Sequence, residues 1–180
     1  MKLEIIADRV ELVDADALLI PVDGTLCRLG GATASALRAA LPAEERAEEM
    51  EYLEEELGRL GPLPHPSARV IDGVARWSKL LVTAAYPHNV DGAIYSAQDC
   101  ARMIRAALPI ALTLAVDEKL ASIAATLIGT AYRMPADIAV RAFIDGLAAS
   151  VKLPVTVRWS LPDATCRELA LEAGQRLGLV

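Results

Sequence analysis

The sequence is short of aromatic rings, histidine and cysteine, and each shortage closes off a class of chemistry. Aromatic residues make up 4% of the chain, too few for the stacked platforms on which single-stranded nucleic acids lie. Two histidines, His65 and His88, leave no basis for a histidine-rich metal site. No metal and no cofactor is predicted. The cysteines number three, with no C-x-x-C pair, which argues against a disulfide framework and for a reducing compartment. No apolar run approaches the roughly 20 residues that span a bilayer, although 54% of the residues are hydrophobic. The opening MKLEIIADRVE turns acidic too early for a signal peptide. A soluble cytoplasmic protein with no membrane partner is the expectation. Basic charge is also in deficit, with a formal net charge of −6, which argues against nucleic acid as a partner. A small anion stays open, because backbone N–H groups can bind one without net positive charge.

What the sequence does contain is alternation. Leu3–Ala7 reads as a short strand. Asp16–Val22 (DALLIPV) is too continuously apolar for a strand with one wet face, and fits a central strand buried on both sides. A glycine-bearing loop follows, then a helix from about Thr33 to Leu41, closed by Pro42. Met50, Leu53, Leu57 and Leu60 recur at helical spacing under a glutamate-rich face. Ala68–Ile71 is a possible short strand, and Lys79–Tyr86 a buried one ended by Pro87. Ser96 begins a long helix with Asp99 in a capping-box relation. Its stripe is Cys100, Ile104, Leu108, Ala111 and Ala115, and Pro109 is expected to kink or divide it. Ser122–Ile128 is a further strand, and Pro135 is placed at the first position of the next helix. Val155–Trp159 is the last strand. Ser160, Pro162 and Asp163 lead into a closing helix with a stripe of Cys166, Leu169, Ala170, Ala173 and Leu177. Strand–helix alternation over 180 residues predicts one α/β domain, with helices on both faces of a mostly parallel sheet.

In such sheets ligands collect beyond the carboxyl ends of the strands. Two loops there are rich in small residues, Asp23–Ala34 and Gly129–Met134. Gly30 and Gly31 stand just ahead of a helix start, where amides and the helix dipole favour an anion. The pair is not a G-x-G-x-x-G fingerprint and no P-loop lysine accompanies it, so the loop by itself favours a glycine turn that packs a helix close to the sheet. Asp23 ends a buried strand, as a displayed functional group or as the cap of the following turn. Cys27 lies in the same loop with no histidine nearby in sequence to activate it as a nucleophile. Cys100 and Cys166 lie on apolar stripes. Tyr132 and Met134 are either lid side chains or anchors into the core, and Arg133 could offer charge to a phosphate.

These residues resemble a family. Ala15–Asp23 (ADALLIPVD) and Leu29–Leu41 (LGGATASALRAAL) are similar to the V-D-A-I-V-N-A-A-N segment, glycine loop and R-A-A helix of macro domains, which bind ADP-ribose. Leu80–Pro87 (LLVTAAYP) resembles that family's strand ending in V-G-P. Ser122–Pro135 (SIAATLIGTAYRMP) is similar to S-I-A-F-P-x-I-S-T-G-x-Y-G-Y-P. The resemblance implies a three-layer α/β fold, a mixed, mostly parallel sheet between helices. It also implies a crest cleft for ADP-ribose or a related nucleotide, lined by Gly30, Gly31 and Ala32 and by Gly129, Thr130, Ala131, Tyr132 and Arg133. The N-terminal domain of leucyl aminopeptidases, a relative of the macro fold, has a similar A-D-A-L and G-G-A opening.

Departures from the pattern shape the functional expectation. The family's terminal asparagine is Asp23 here, which accepts hydrogen bonds but cannot donate an amide N–H. Arg28 and Leu29 replace two loop glycines, and Arg28 could make a charge-assisted phosphate contact. The second loop is one residue shorter, with Ile128-Gly129-Thr130 for S-T-G. The acidic residue that recognises adenine in the family corresponds to Asp8, displaced by one position. Three functions follow from the resemblance: a binding module for ADP-ribose or a related nucleotide, a hydrolase of ADP-ribosyl or O-acetyl-ADP-ribose groups using Asp23 as base, and an interaction scaffold whose cleft is filled by Arg28, Leu29 and Met134. The sequence does not specify the oligomeric state.

Overall fold

Among the residues described by the computed structural model, which are 1–25, 29, 31–86, 95–129 and 134–180, there are six strands and five α-helices, strictly alternating only from the fourth strand onward. In chain order they are β1 (Lys2–Ile6), β2 (Ala17–Asp23), α1 (Gly31–Ala40), α2 (Arg46–Leu60), β3 (Ala68–Asp72), β4 (Lys79–Tyr86), α3 (Ala97–Asp117), β5 (Ser122–Ala125), α4 (Ala136–Ala148), β6 (Thr156–Ser160) and α5 (Ala164–Arg176); a single 3-10 turn, Val10–Leu12, joins β1 to β2. The sheet order is β1-β6-β5-β2-β4-β3. All neighbours are parallel except β3 and β4. This is the mixed, mostly parallel α/β sheet expected.

The continuous apolar run of β2 has the physical cause anticipated for it. Ala17 and Leu19 face one core with Ile104, Leu108 and Phe143. Leu18, Ile20 and Val22 face the other with Leu37, Leu53, Leu57 and Trp77. Both faces are dry, so alternation would have left a polar side chain in a core. Each fully buried aliphatic side chain contributes about 1.5–3 kcal/mol of transfer free energy.

The amino end of the sheet is tied together by Asp16. Its Oδ2 accepts the backbone N–H groups of Ala121 and Ser122, each at 2.8 Å, and its own N–H donates to Ser122 Oγ at 3.0 Å. Its carbonyl accepts from Lys79 N and Ser78 Oγ. One residue thus sets β2 against β5 and β4 before either ladder begins.

The long helix forms as its cap predicts: the Ser96 side chain accepts from Asp99 N, and the Asp99 carboxylate accepts from Ser96 N. The Ser96 bonds also hold the Asp99 carboxyl below its ordinary range, with Arg102 adding to the effect. The expected division at Pro109 does not occur, and α3 runs unbroken from Ala97 to Asp117. Pro109 is half-buried rather than in the core, so the Arg105 carbonyl it leaves unpaired can be solvated. The Pro109 carbonyl is used, accepting from Thr113 Oγ1 at 2.8 Å. Helices α3 and α4 approach closely at Gly146, where a Cβ would stand 2.7 Å from Leu108 Cδ1 and 3.1 Å from its Cβ.

Most strand and helix limits fall within one or two residues of expectation, and three differences have a clear cause or consequence. β5 ends at Ala125 rather than Ile128, because its last partner in β6 is Trp159 and the chain then leaves the sheet. Pro135 is the N-cap of α4, not its first helical residue. Asp163 caps α5 while Ser160 stays in β6, and Leu177 falls just past the helix end and is 47% exposed. Among the described residues no helix is long and apolar enough to cross a membrane.

Candidate functional site

Beyond the carboxyl ends of β1, β5 and β6 lies a cleft of about 310 Å³, at the lower end of the range for small-molecule sites, about 300–1,000 Å³. Four segments build it. Arg9, Val10 and Glu11 follow β1; Thr126 and Leu127 follow β5; Ser160, Leu161, Pro162, Asp163 and Cys166 close β6 and open α5; Ala32, Ser35 and Ala36 come from the start of α1. The parallel pairings of β6 with β1 and β5 bring the first three segments side by side. Thr33 Oγ1 and Thr126 Oγ1, 3.5 Å apart, join α1 to the end of β5.

The walls are mostly apolar, and the polar groups among them are individually fixed. Ser160 Oγ donates to the Asp8 carbonyl at 2.8 Å, tying the end of β6 to the turn after β1. Asp163 Oδ1 accepts Cys166 N at 2.8 Å as the α5 N-cap. That amide holds the Asp163 carboxyl below its ordinary range. Burial pushes the Cys166 thiol up, and the Asp163 carboxylate beside it pushes the same way, so this cysteine is a protonated wall and not a nucleophile. Arg9 Nη2 lies 2.5 Å from Glu11 Oε1, with the guanidinium side chain 68% exposed and the carboxylate side chain 11%.

The residues singled out in the sequence are distributed unevenly around this space. Ala32 lines it. Gly31 opens α1 with φ +60°, a conformation glycine favours, and its carbonyl accepts from Ser35 Oγ at 3.2 Å. Gly129 has φ +110°, and a Cβ there would sit 3.1 Å from the Met134 thioether. Met134 is 5% exposed and belongs to the core on the α3 side. It is an anchor and not a lid, and it does not line this cleft. Leu29 packs against the opposite core. Asp23 ends β2 at a bulge opposite Tyr86, and its Oδ1 accepts Thr25 N at 3.0 Å, the turn-capping role open to it. Asp8 is exposed and contributes its carbonyl, whereas Arg9 and Glu11 line the cleft. Arg28, Gly30, Thr130, Ala131, Tyr132 and Arg133 lie outside the described residues, as do Cys27 and His88.

Sequence reasoning therefore missed Arg9, Glu11, Thr126 and Ser35, and read Ser160 and Asp163 only as capping residues. The available signal was positional. Each of the three strand-following segments comes directly after an apolar strand, where the rule about carboxyl ends applies even without a glycine.

The fold has known counterparts. No family model matches the sequence, and no curated protein matches it. Solved structures do. A variant of the Oceanobacillus iheyensis macrodomain superposes with a TM-score of 0.73 at 19% identity, over 97% of this chain and 92% of that one. Another variant of the same macrodomain, with ADPR, gives 0.72 at 19% identity over 97% and 92%. The Trypanosoma brucei macrodomain in complex with ADP gives 0.70 at 16% identity over 96% and 68%. At such identities the likeness establishes the fold: this chain has the architecture of a macrodomain.

Proposed function

We propose that the protein binds a nucleoside diphosphate of the ADP-ribose kind in this crest cleft, and that it acts as a binding module. The observation that carries the reading is the cleft itself, apolar-walled with a few fixed polar groups, beside the carboxyl ends of three strands. Support comes from the fold it shares with macrodomain structures solved with ADP and with ADPR. The base and its ribose would occupy the described cleft between Val10, Leu127, Leu161 and Pro162. We assign the diphosphate and distal ribose to Gly31 and Gly129 and to Arg28, Gly30, Thr130, Ala131, Tyr132 and Arg133. Backbone amides at the start of α1 would meet the phosphates, and no metal is required for binding of this kind.

A hydrolase acting through Asp23 has less support, since one Asp23 oxygen is already employed by the Thr25 amide. Calorimetric titration with ADP-ribose, AMP and NAD tests the main reading. Saturable binding is expected, tightest for ADP-ribose; flat traces with all three contradict it. Asp23→Asn separates the two readings: tighter binding with no turnover in either protein fits a bare binding site, and turnover in the wild type that the variant loses fits catalysis.

A further inference from the structure

The net charge of this protein is concentrated in one helix. Eight glutamates against two arginines give residues 44–60, which hold α2, a formal charge of −6, equal to that of the whole chain. The remainder is therefore balanced. Met50, Leu53 and Leu57 turn one side of α2 into the core. Glu48, Glu51, Tyr52 and Glu55 share the opposite, exposed side, at the spacings that place residues on one helix face. Tyr52 is 37% exposed. Glu55 pairs with Arg59 at 3.4 Å, whereas Glu48 and Glu51 have no ion pair among the described residues.

In the layer on the other side of the sheet, α3, α4 and α5 enclose a hollow of about 360 Å³ with the reverse character. Arg105 comes from α3, Arg141 from α4 and Arg176 from α5, around the apolar Ile144, Ala173 and Leu177. The carboxylate in the lining is Asp145, whose Oδ2 accepts from Arg105 Nε at 3.0 Å. That bond leaves both Nη groups of Arg105 outside the pair. Arg176 is held by Glu172 through Nη2, which leaves its Nε and Nη1 outside that pair. Arg141 is exposed and has no ion pair among the described residues. Guanidiniums gathered from three helices repel one another unless anions come between them, and the hollow's own carboxylates answer two of the three.

We propose that this hollow receives the outer face of α2 from a second copy of the chain. Tyr52 lies against Ile144, Ala173 and Leu177, while Glu48 and Glu51 meet Arg141 and the free nitrogens of Arg105 and Arg176. The match has an aromatic anchor in an apolar hollow and opposite charges around its rim. Arginine also packs well on a tyrosine ring. The occupant is α2 because that helix carries the chain's entire excess of negative charge, while the rest of the molecule does not repel it. The two surfaces lie on opposite sides of the sheet, so the contact is head-to-tail. Each copy keeps one free hollow and one free α2, and association runs on into open chains rather than a closed dimer. One helix face on one hollow is a contact of the small class, under about 1,200 Å². The pairing is therefore weak and sensitive to salt. The crest cleft takes no part in it, and the inference stands apart from the nucleotide reading.

The test is sedimentation equilibrium of the intact chain over a range of concentrations, at an ionic strength of about 0.01 M and again at about 1 M. Between these the screening length falls from about 30 Å to about 3 Å. At low salt the weight-average mass is expected to climb with concentration, without a plateau at the dimer, and at high salt to return to the monomer's. Arg141→Glu and Glu51→Lys, both at exposed positions, should each stay monomeric at low salt with unchanged melting temperatures. Mixed in equal amounts they should associate again, because the intact hollow of one meets the intact α2 of the other. Both variants remain acidic overall, so general attraction does not supply that contact. A wild type that stays monomeric at low salt overturns the inference, as does a plateau at the dimer or association that survives high salt. Undiminished association of either variant alone, or a mixture that stays monomeric, overturns it as well. The wild-type salt comparison decides the matter even where a variant folds poorly.

Discussion

Asp16 and Glu11 serve opposite ends of one sheet, and their carboxylates are employed differently. Asp16, at the amino end, has one oxygen holding two backbone amides of the β5 entry, while its own amide and carbonyl are bonded to Ser122, Lys79 and Ser78. Glu11, beside the carboxyl ends, has one charged partner, Arg9, and lines the cleft. The first arrangement satisfies backbone groups at the start of β5 that the ladder itself does not pair. The second places its carboxylate on the wall of a cleft, among the few fixed polar groups that a binding site carries. The same residue chemistry thus serves cohesion at one end and, in the function proposed above, recognition at the other.

Removing the cohesive carboxylate should produce the largest effect. Asp16→Ala strips two charge-assisted bonds from backbone groups, and a loss of about 3 kcal/mol is expected by urea denaturation, since bonds to charged groups contribute about 1.5–3 kcal/mol each. Asp16→Asn should recover part of it, because an amide oxygen still accepts. The matching change at the crest, Glu11→Gln, should cost under about 1 kcal/mol, as pairs with a solvated partner do. If the two losses were equal, the division of labour between the ends would be wrong. Next in size, Gly146→Ala forces the α3–α4 crossing apart against Leu108, at about 1–3 kcal/mol. An unchanged melting temperature would mean that the helices separate freely there. Ser96→Ala removes the N-cap of α3 and should cost about 1 kcal/mol.

The smallest effect is one of pH. Asp99 and Asp163 both have carboxyls held below the ordinary aspartate range by helix-capping bonds. A group depressed on folding adds stability that is complete above its unfolded-state value and lost as pH falls through its folded-state value. The melting temperature should therefore fall as pH drops below the ordinary aspartate range. Asp163→Ala should make that slope shallower, and an unaltered slope would show the α5 cap to be irrelevant to acid sensitivity.

The cohesive half of the molecule was the more legible in sequence, for a physical reason. Lys79–Tyr86 is a strand with the limits read from its apolar run. Cys100, Ile104, Leu108, Ala111 and Ala115 are all buried, because helical periodicity is a local signal that one core face enforces. The recognition half depends on residues far apart in the chain. Arg9 and Glu11 meet Ser160 and Asp163 only because β1 pairs with β6, and no spacing within either segment announces it. Pro109, expected to kink or divide its helix, does not divide it, since a half-buried position lets the carbonyl it frees meet water.

The most direct test of the crest cleft is a titration of ADP-ribose into the wild type and into Ser35→Trp, side by side. Ser35 is exposed and lines the cleft, so an indole there would fill the space without entering either core. Binding to the wild type with its loss in a variant of unchanged melting temperature is the predicted result. Equal binding by both proteins would contradict the account and place the ligand elsewhere.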